Sequence, residues 1–285
     1  MKILTIFDLH YIQGDSPSER KLDEIDKIED EIGAVLLGGD NAEIAPRLRN
    51  HLQLIERLRR KYHKIPIGFI CGNHDLWTRA SGISAQEMLY EIFPEIAKQT
   101  GLIYLENENM QFPGLTIAGT YGHYDFSLRK PRGKVTLDDL RKGTFVIDLG
   151  NKRARLGWVD KEKIHLDGQT DEGLCKKLIE DFNKRLEEVQ GKLITLSHTV
   201  PSRELVGYPD SPEQEFYGAY SGSILIGKVI EKSNSWLHLC GHTHAKAEAT
   251  IGRTRVINVG ADYDLVRYAI IDSEAKSVEI RERPV

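Results

Sequence analysis

Cysteine is scarce in this chain of 285 residues, since only Cys71, Cys175 and Cys240 occur and they are widely separated. So few and so scattered thiols exclude a disulfide framework and a thiolate metal site. Free thiols are typical of the reducing cytoplasm, where we expect the protein. No apolar run approaches the roughly 18 residues of a membrane span. The first apolar stretch is also too short for a signal peptide.

Neither sign of charge predominates along the chain. The 39 lysines and arginines against 43 acids give a net charge of −4, which excludes a uniformly basic nucleic-acid coat and an acidic solvating tail. The exception is local, because residues 129–155 carry nine basic residues against three acids. We interpret this basic stretch as a surface excursion. It could attract an anionic substrate, but a solvated surface is the commoner explanation.

The first hundred residues alternate between short apolar runs and amphipathic helical patterns. Each apolar run is long enough for a buried strand and too short for a helix. The first helical pattern reaches Ile32 and closes at Gly33, and the second spans residues 44–62. Buried strands that alternate with amphipathic helices predict βαβ units and a parallel sheet.

The rest of the chain is richer in strand patterns. One long helix is predicted over residues 174–189, with Asp171 as its candidate cap and Gly191 at its end. The last part of the chain predicts mainly antiparallel strands joined by turns. Because no linker, repeat or low-complexity segment interrupts the pattern, residues 1–285 are expected to form a single domain.

Five predicted strands end in side chains with oxygen or imidazole donors. In open α/β sheets, ligands bind outside the carboxyl ends of the strands, so we expect these side chains to converge. Such donors exceed what one tetrahedral ion takes and suit two ions that share a carboxylate. Mixed nitrogen and oxygen ligands favour Mn, Fe, Co, Ni or Zn over calcium. The candidate ligands are Asp8, His10, Asp40, Asn73, His198, His242 and His244.

The motifs occur in the order D-x-H, G-D, G-N-H-D, H and G-H-x-H, from Asp8 to His244. In this order they resemble the calcineurin-like metallophosphoesterase family. The resemblance implies an α/β fold, a four-layer sandwich of two mixed β-sheets flanked by helices, with the metal site at the C-terminal strand ends. It also implies metal-dependent hydrolysis of phosphate esters, in which a metal-bridging hydroxide attacks phosphorus in line.

The resemblance also implies a role for each residue. The first divalent transition metal ion would be held by Asp8, His10 and His244. The second would be held by Asn73, His198 and His242, with Asp40 bridging both ions. His74 would be catalytic and lie beside the substrate phosphate, with Asp75 orienting it and Asn73 also reaching the substrate. After G-D the sequence reads NAE, which departs from the family's pattern. The resemblance therefore implies no supporting role for Asn41 or Glu43.

Several cysteines and histidines lie outside the metal-ligand set. His123 follows a strand in GTYGHYD, and we interpret it as a candidate substrate contact, because loops near such sites carry specificity. Cys71 and Cys240 each precede a motif glycine and are expected to be small buried strand residues. The remaining histidines lack motif context and are expected to be structural or exposed; they are His51, His63, His165 and His238.

The favoured function is that of a phosphodiesterase, because the motif set is similar to that of bacterial cyclic-nucleotide phosphodiesterase relatives. Phosphomonoesterase or nuclease activity at the same metal site remains an alternative. The expected partner is a phosphorylated small molecule or a nucleotide, and nucleic acid is not favoured. A non-catalytic scaffold would have lost ligands, and none is lost. A barrel-type metal amidohydrolase would end its first strand in His-x-His rather than Asp-x-His.

Overall fold

The computed structural model describes residues 1–43, 48–148, 150, 152–206 and 211–285. Within these ranges the strands are β1 (Lys2–Ile6), β2 (Ile32–Gly38), β3 (Ile67–Ile70), β4 (Ile103–Tyr104), β5 (Met110–Phe112), β6 (Leu115–Thr120), β7 (Thr144–Asp148), β8 (Arg153–Gly157), β9 (Lys192–Ser197), β10 (Ser235–Cys240), β11 (Ala247–Ile251), β12 (Thr254–Asn258), β13 (Leu265–Asp272) and β14 (Ser277–Pro284).

Twelve of these strands form two mixed sheets of six. The first sheet has the order β14-β13-β1-β2-β3-β4, and the second has the order β11-β12-β10-β9-β6-β5. In the first, β1 to β4 are parallel and β13 pairs antiparallel with β1. In the second, β6, β9, β10 and β12 are parallel, and the edge strands β5 and β11 are antiparallel to their neighbours. The parallel strands of each sheet therefore deliver their carboxyl ends to one edge.

Most of the helices flank the two sheets, and the others pack against the β7-β8 hairpin. The helices are α1 (Ser16–Asp26), α2 (Arg49–Lys61), α3 (Ala85–Glu87), α4 (Phe93–Thr100), α5 (Leu137–Lys142), α6 (Asp160–Lys163), α7 (Asp171–Glu187), α8 (Pro212–Gly218) and α9 (Ile224–Lys232). Alternate residues of β1 show the layering. Ile3 packs into the core between the sheets, whereas Leu4 packs with Leu22 of α1 and Leu54 of α2. Strands buried on both faces explain the continuous apolar runs in the sequence.

The expected α/β sandwich of two mixed sheets flanked by helices is confirmed, and three local expectations change. The first helix ends at Asp26, because Ile32 pairs with Lys2 at the start of β2. The long helix is capped by Thr170, whose hydroxyl accepts from the backbone N–H of Gly173 at 3.1 Å. The C-terminal strands are antiparallel in the pairs β11-β12 and β13-β14, as expected, but β10 pairs in parallel with both β9 and β12.

The second predicted helix is observed as α2, which begins at Arg49. Ile44, its predicted first apolar residue, lies outside the described residues. Leu52, on the predicted apolar face, is 47% exposed. No helix within the described ranges combines the length and the hydrophobicity that crossing a membrane requires.

The basic stretch folds into α5 and the separate β7-β8 hairpin. One face of the hairpin packs through Phe145 and Leu156 against Phe216 and Tyr220. Arg153 and Arg155, by contrast, are exposed. The expected surface excursion is therefore present, and it has a small apolar core of its own.

Candidate metal centre

Five loops that carry the candidate ligands meet at one end of the sandwich. Three follow β1, β2 and β3 of the first sheet, and two follow β9 and β10 of the second. Backbone hydrogen bonds join the loops, from Asp8 N–H to the Gly39 carbonyl at 3.1 Å and from Gly241 N–H to the His198 carbonyl at 3.0 Å. The parallel strands therefore bring together residues from opposite ends of the chain, as expected from the sheet pattern.

Five of the seven candidate ligands have a left-handed backbone. Their φ angles lie between 48° and 68°, a region that costs a non-glycine residue about 1–3 kcal/mol. Such strain persists only where the surrounding structure holds it, and it concentrates at functional sites. These residues are Asp8, His10, Asp40, His242 and His244.

The first donor group consists of Asp8, His10 and His244, whose ligand atoms all lie within 4.8 Å of one another. The Nε2 atoms of the two histidines are 3.2 Å apart. The Nε2 of His244 lies 3.8 Å from Oδ1 of Asp8. Two nitrogens on one tetrahedral ion, with bonds of about 2.0 Å, would be separated by about 3.3 Å. The spacing therefore fits a shared metal ion.

The second donor group contains Asp40, Asn73, His198 and His242. Oδ1 of Asn73 lies 3.2 Å from Nε2 of His198 and 3.0 Å from Nδ1 of His242. Oδ2 of Asp40 lies 3.4 Å from Nε2 of His198. The same oxygen lies 3.8 Å from Nε2 of His10 in the first group. One buried carboxylate therefore faces both groups, which is the arrangement that two ions with a shared ligand require.

Three of the four candidate histidine ligands are oriented through their outer ring nitrogen. Nδ1 of His10 contacts Oε1 of Glu43 at 3.0 Å, and Nδ1 of His198 contacts the Gly38 carbonyl at 3.1 Å. Nε2 of His242 contacts the Tyr220 carbonyl at 3.1 Å. An acceptor on one nitrogen keeps the proton there and leaves the other nitrogen free to bind a metal. The donor set therefore fits metal binding in its hydrogen bonding as well as in its spacing.

The buried carboxylate of Asp40 keeps its charge through neighbouring positive groups. Burial opposes ionisation of Asp40, yet His198 and His74 hold the pKa of this carboxyl well below its usual value. Burial also opposes the charge on His198, but Asp40 raises its pKa to about 9. Burial and the neighbouring His198 lower the pKa of His242 to about 3. Buried carboxylates therefore depend on nearby positive charge, which bound cations would supply.

His74 lies beside both groups, but its partner differs from the expected one. Its Nδ1 contacts Oε1 of Glu43 at 2.8 Å, and its Nε2 lies 4.0 Å from Oδ2 of Asp40. The indole of Trp77 stacks on the His74 ring at 3.6 Å between centroids. The expectation that Asp75 orients the His74 ring is therefore wrong in this structure: Glu43 binds the ring nitrogen and Trp77 packs on its face.

Asp75 instead holds together the loops that carry the ligands. Its carboxylate accepts from the backbone N–H of Gly72 at 2.7 Å and contacts Nε2 of His51 at 2.7 Å. It also lies 3.4 Å from the backbone nitrogen of Asn41. Asp75 is thus a positioning residue for the loops after β2 and β3. His51, expected to be structural or exposed, is buried in this structural role.

His123 does not reach the metal centre. Its side chain is fully buried, and its ring nitrogens contact the Tyr121 hydroxyl at 2.7 Å and the Asp171 carboxylate at 3.0 Å. A ring that is enclosed and bonded on both nitrogens has no free donor or acceptor for a substrate. The expected substrate contact by His123 is therefore corrected to a structural role.

Two residues near the centre were missed by the sequence analysis. Oδ1 of Asp160 accepts from Nδ2 of Asn73 at 3.1 Å and from the Trp77 indole at 2.7 Å, which fixes the amide with its oxygen toward the histidines. Asn258 donates to the Gly241 carbonyl at 3.1 Å and to the Thr243 hydroxyl at 2.7 Å. Neither lies in a motif, so no local signal in the sequence could have identified them.

Together, these features define a class of protein. Two donor groups share one carboxylate at the C-terminal strand edge of an α/β sandwich, which is the arrangement of a dinuclear metal hydrolase. Residues 1–246 match the calcineurin-like phosphoesterase family, and the chain belongs to this family. It is therefore a metal-dependent hydrolase of phosphoric ester bonds, and members of the family are typically dinuclear.

Solved structures show the same fold at low sequence identity. Phosphopantetheinyl hydrolase (PptH) from Mycobacterium tuberculosis is 18% identical, with a TM-score of 0.71 over 92% of this chain and 89% of that chain. The TT1561 protein of Thermus thermophilus is 15% identical, with a TM-score of 0.54 over 98% of this chain and 97% of that chain. Among curated protein sequences, none is significantly similar to this chain.

Proposed function

We propose that residues 1–285 form one catalytic domain, a phosphodiesterase that uses two divalent transition metal ions. The first would bind Asp8, His10 and His244, the second Asn73, His198 and His242, and Asp40 would bridge them. Mn, Fe, Co, Ni and Zn all suit these donors. Two such ions neutralise a phosphoryl group and lower the pKa of water to near neutrality.

One observation supports a diester in particular: each donor group adjoins a cavity of its own. A cavity of about 530 Å³ is lined by His10, His74 and Glu43. A second cavity of about 360 Å³ is lined by His242, Trp158 and Tyr217. A phosphate held between the donor groups could place one substituent in each cavity. A monoester would need only one of them.

His74 is the proposed general acid for the leaving oxygen. Burial opposes a charge on its ring, but the carboxylates of Asp40 and Glu43 raise its pKa to about 9. With Nδ1 bonded to Glu43, Nε2 can donate a proton into the cleft. Such proton transfer typically contributes about 10²–10⁴-fold to the rate.

The basic stretch gives little support to the nuclease alternative. None of its nine basic residues, all within the described ranges, lines either cavity beside the metal centre. A channel for single-stranded nucleic acid would place positive charge along the path to the metals. The free, buried cysteines support the cytoplasmic location that we also propose.

Metal removal and a substrate panel test the proposal. The protein should retain up to two transition metal ions per chain, and chelation should abolish hydrolysis of bis(p-nitrophenyl) phosphate until metal is restored. The diester should be preferred over p-nitrophenyl phosphate by kcat/KM. The panel should also contain 2′,3′- and 3′,5′-cyclic nucleotides, a phosphopantetheinyl diester and single-stranded DNA. Full activity of metal-free protein would refute the mechanism, and preference for the monoester would refute diester specificity.

A further inference from the structure

The larger cavity contains an exposed aromatic residue beside the metal centre. Tyr263 is 70% exposed. The centroid of its ring lies 5.7 Å from that of His244 and 6.5 Å from that of His10. An accessible aromatic ring is a stacking surface for flat groups, and it adds little conformational entropy because it has only two rotatable bonds.

The loop that carries Tyr263 is held in place on both sides of the residue. The buried Lys21 donates from Nζ to the Asp262 carbonyl at 2.9 Å, and the Asp262 side chain accepts from the Asp264 N–H at 2.9 Å. The Val285 N–H donates to the Asp264 carbonyl at 3.1 Å. The Tyr263 ring is therefore presented by a fixed backbone. Nζ of Lys21 lies over the ring, 5.8 Å from its centroid, and most of the residue's surface is exposed.

The composition of the cavity indicates what it would accept. Its volume of about 530 Å³ is within the usual range for small-molecule sites. Ile12 and Pro17 give it an apolar part, and Asp15 and Asp264 give it carboxylates. A flat base and a sugar with hydroxyl groups match this combination, because the base can stack and the hydroxyls can donate to carboxylate oxygens.

We propose that this cavity binds a nucleoside as the leaving group of the ester, with its base stacked on Tyr263. This inference rests on the proposed function. His74 lines the same cavity, so the departing oxygen lies on this side. The oxygen of water bonds to phosphorus as the bond from phosphorus to the nucleoside O5′ breaks. O5′ keeps the electron pair and takes a proton from His74, and the proton released by water passes to solvent.

The test uses two diesters that differ only in the leaving alcohol: the methyl ester of adenosine 5′-monophosphate and the methyl ester of glycerol 3-phosphate. The Mn²⁺-loaded protein should release adenosine and methyl phosphate from the first. Y263A removes the base-stacking surface, so it should lower kcat/KM for the adenosine ester about 5- to 150-fold. The same variant should change the value for the glycerol ester less than about threefold, and Y263F should retain the preference.

A binding measurement separates this inference from the proposed function. Adenosine 5′-monophosphate should bind Y263A at least about fivefold more weakly than the unaltered protein in calorimetry, whether or not diesters are hydrolysed. Y90A is the control, since Tyr90 is partly exposed and absent from the cavity lining. Equal losses for both esters, unchanged nucleotide affinity, or release of methanol with adenosine 5′-monophosphate would overturn the inference.

Discussion

At the scale of single residues, Glu43 contacts both a candidate metal ligand and the proposed general acid. One carboxylate oxygen, Oε1, contacts Nδ1 of His10 at 3.0 Å and Nδ1 of His74 at 2.8 Å. Burial would disfavour its charge, but these two histidines lower the pKa of Glu43 to about 2. A charged acceptor between a candidate ligand and the candidate acid fixes both rings. In the proposed mechanism, Glu43 is thus a positioning residue for both His10 and His74.

Replacing Glu43 with Gln should therefore impair catalysis more than folding. Loss of such a supporting partner typically costs about 10- to 100-fold in metal affinity or activity. With saturating metal, E43Q should lower kcat more for a methyl diester than for bis(p-nitrophenyl) phosphate, because only the poor leaving group needs a proton from His74. H74A should reproduce this leaving-group dependence. Equal effects of E43Q on both substrates would contradict a role through His74.

The candidate ligands could be predicted from the sequence, and the residues that orient them could not. Each ligand lies in a short motif after an apolar run, so local patterns identify it. Glu43 and Asp160 act through contacts with His74 and Asn73 that span 31 and 87 positions. Such contacts depend on how loops from different strands pack. The resemblance to the family implied that Asp75 orients the His74 ring, a contact that the folded loop does not make.

At the scale of elements, the loop after β3 allows no side chain at Gly72. A Cβ there would lie 2.2 Å from Oδ1 of Asp40 and 2.7 Å from Cε1 of His198. Both residues belong to the second donor group, and Asp40 is the carboxylate shared by both groups. The glycine therefore permits the close approach on which the shared site depends.

The substitution G72A should cost metal binding as well as stability. Overpacking typically destabilises a protein by about 1–3 kcal/mol, and the displaced Asp40 should reduce the metal content below two ions per chain. Elemental analysis and urea unfolding would measure the two effects. G157A is the matched control, because a Cβ at Gly157 meets no heavy atom within 4 Å. If G72A retains both ions and full stability, the close approach is not essential.

Element types were more predictable than their boundaries and pairing. Apolar runs identified β1, β2 and β3, because strands buried on both faces need continuous apolar sequence. Ile32 continues the apolar spacing of the first helix, but it lies at the start of β2. An apolar residue that begins a buried strand can extend a helical pattern by chance. The parallel pairing of β10 with β12 was not predicted. It depends on β11 lying outside β12 as an edge strand, which short-range patterns do not encode.

At the scale of the whole molecule, a buried acid links the two sheets. Glu106 follows β4 of the first sheet and accepts hydrogen bonds from the end of β6 in the second. These come from the Thr120 hydroxyl at 3.1 Å and from the Tyr121 N–H. Burial raises the pKa of Glu106 to about 7, although the nearby Arg185 partly opposes the shift. The connection between the sheets thus includes a group that titrates near neutrality.

This raised pKa predicts a pH-dependent loss of stability. The unfolded acid loses its proton near pH 4.5, and the folded acid near pH 7. The cost to the folded state of ionising the buried Glu106 is absent below pH 4.5, grows up to about pH 7 and is constant above it. At about 1.4 kcal/mol per pKa unit, the free energy of unfolding should fall on the order of 3 kcal/mol across this window. E106Q should lack this contribution, because an amide does not ionise.

The measurement is urea unfolding of both proteins at pH 5 and pH 8, because other groups titrate equally in each. The stability of E106Q relative to the unaltered protein should rise from the lower pH to the higher. E108Q, at an exposed position two residues away, controls for loss of a nearby acid and should follow the unaltered protein. If the difference between E106Q and the unaltered protein is the same at both pH values, burial does not hold the proton on Glu106.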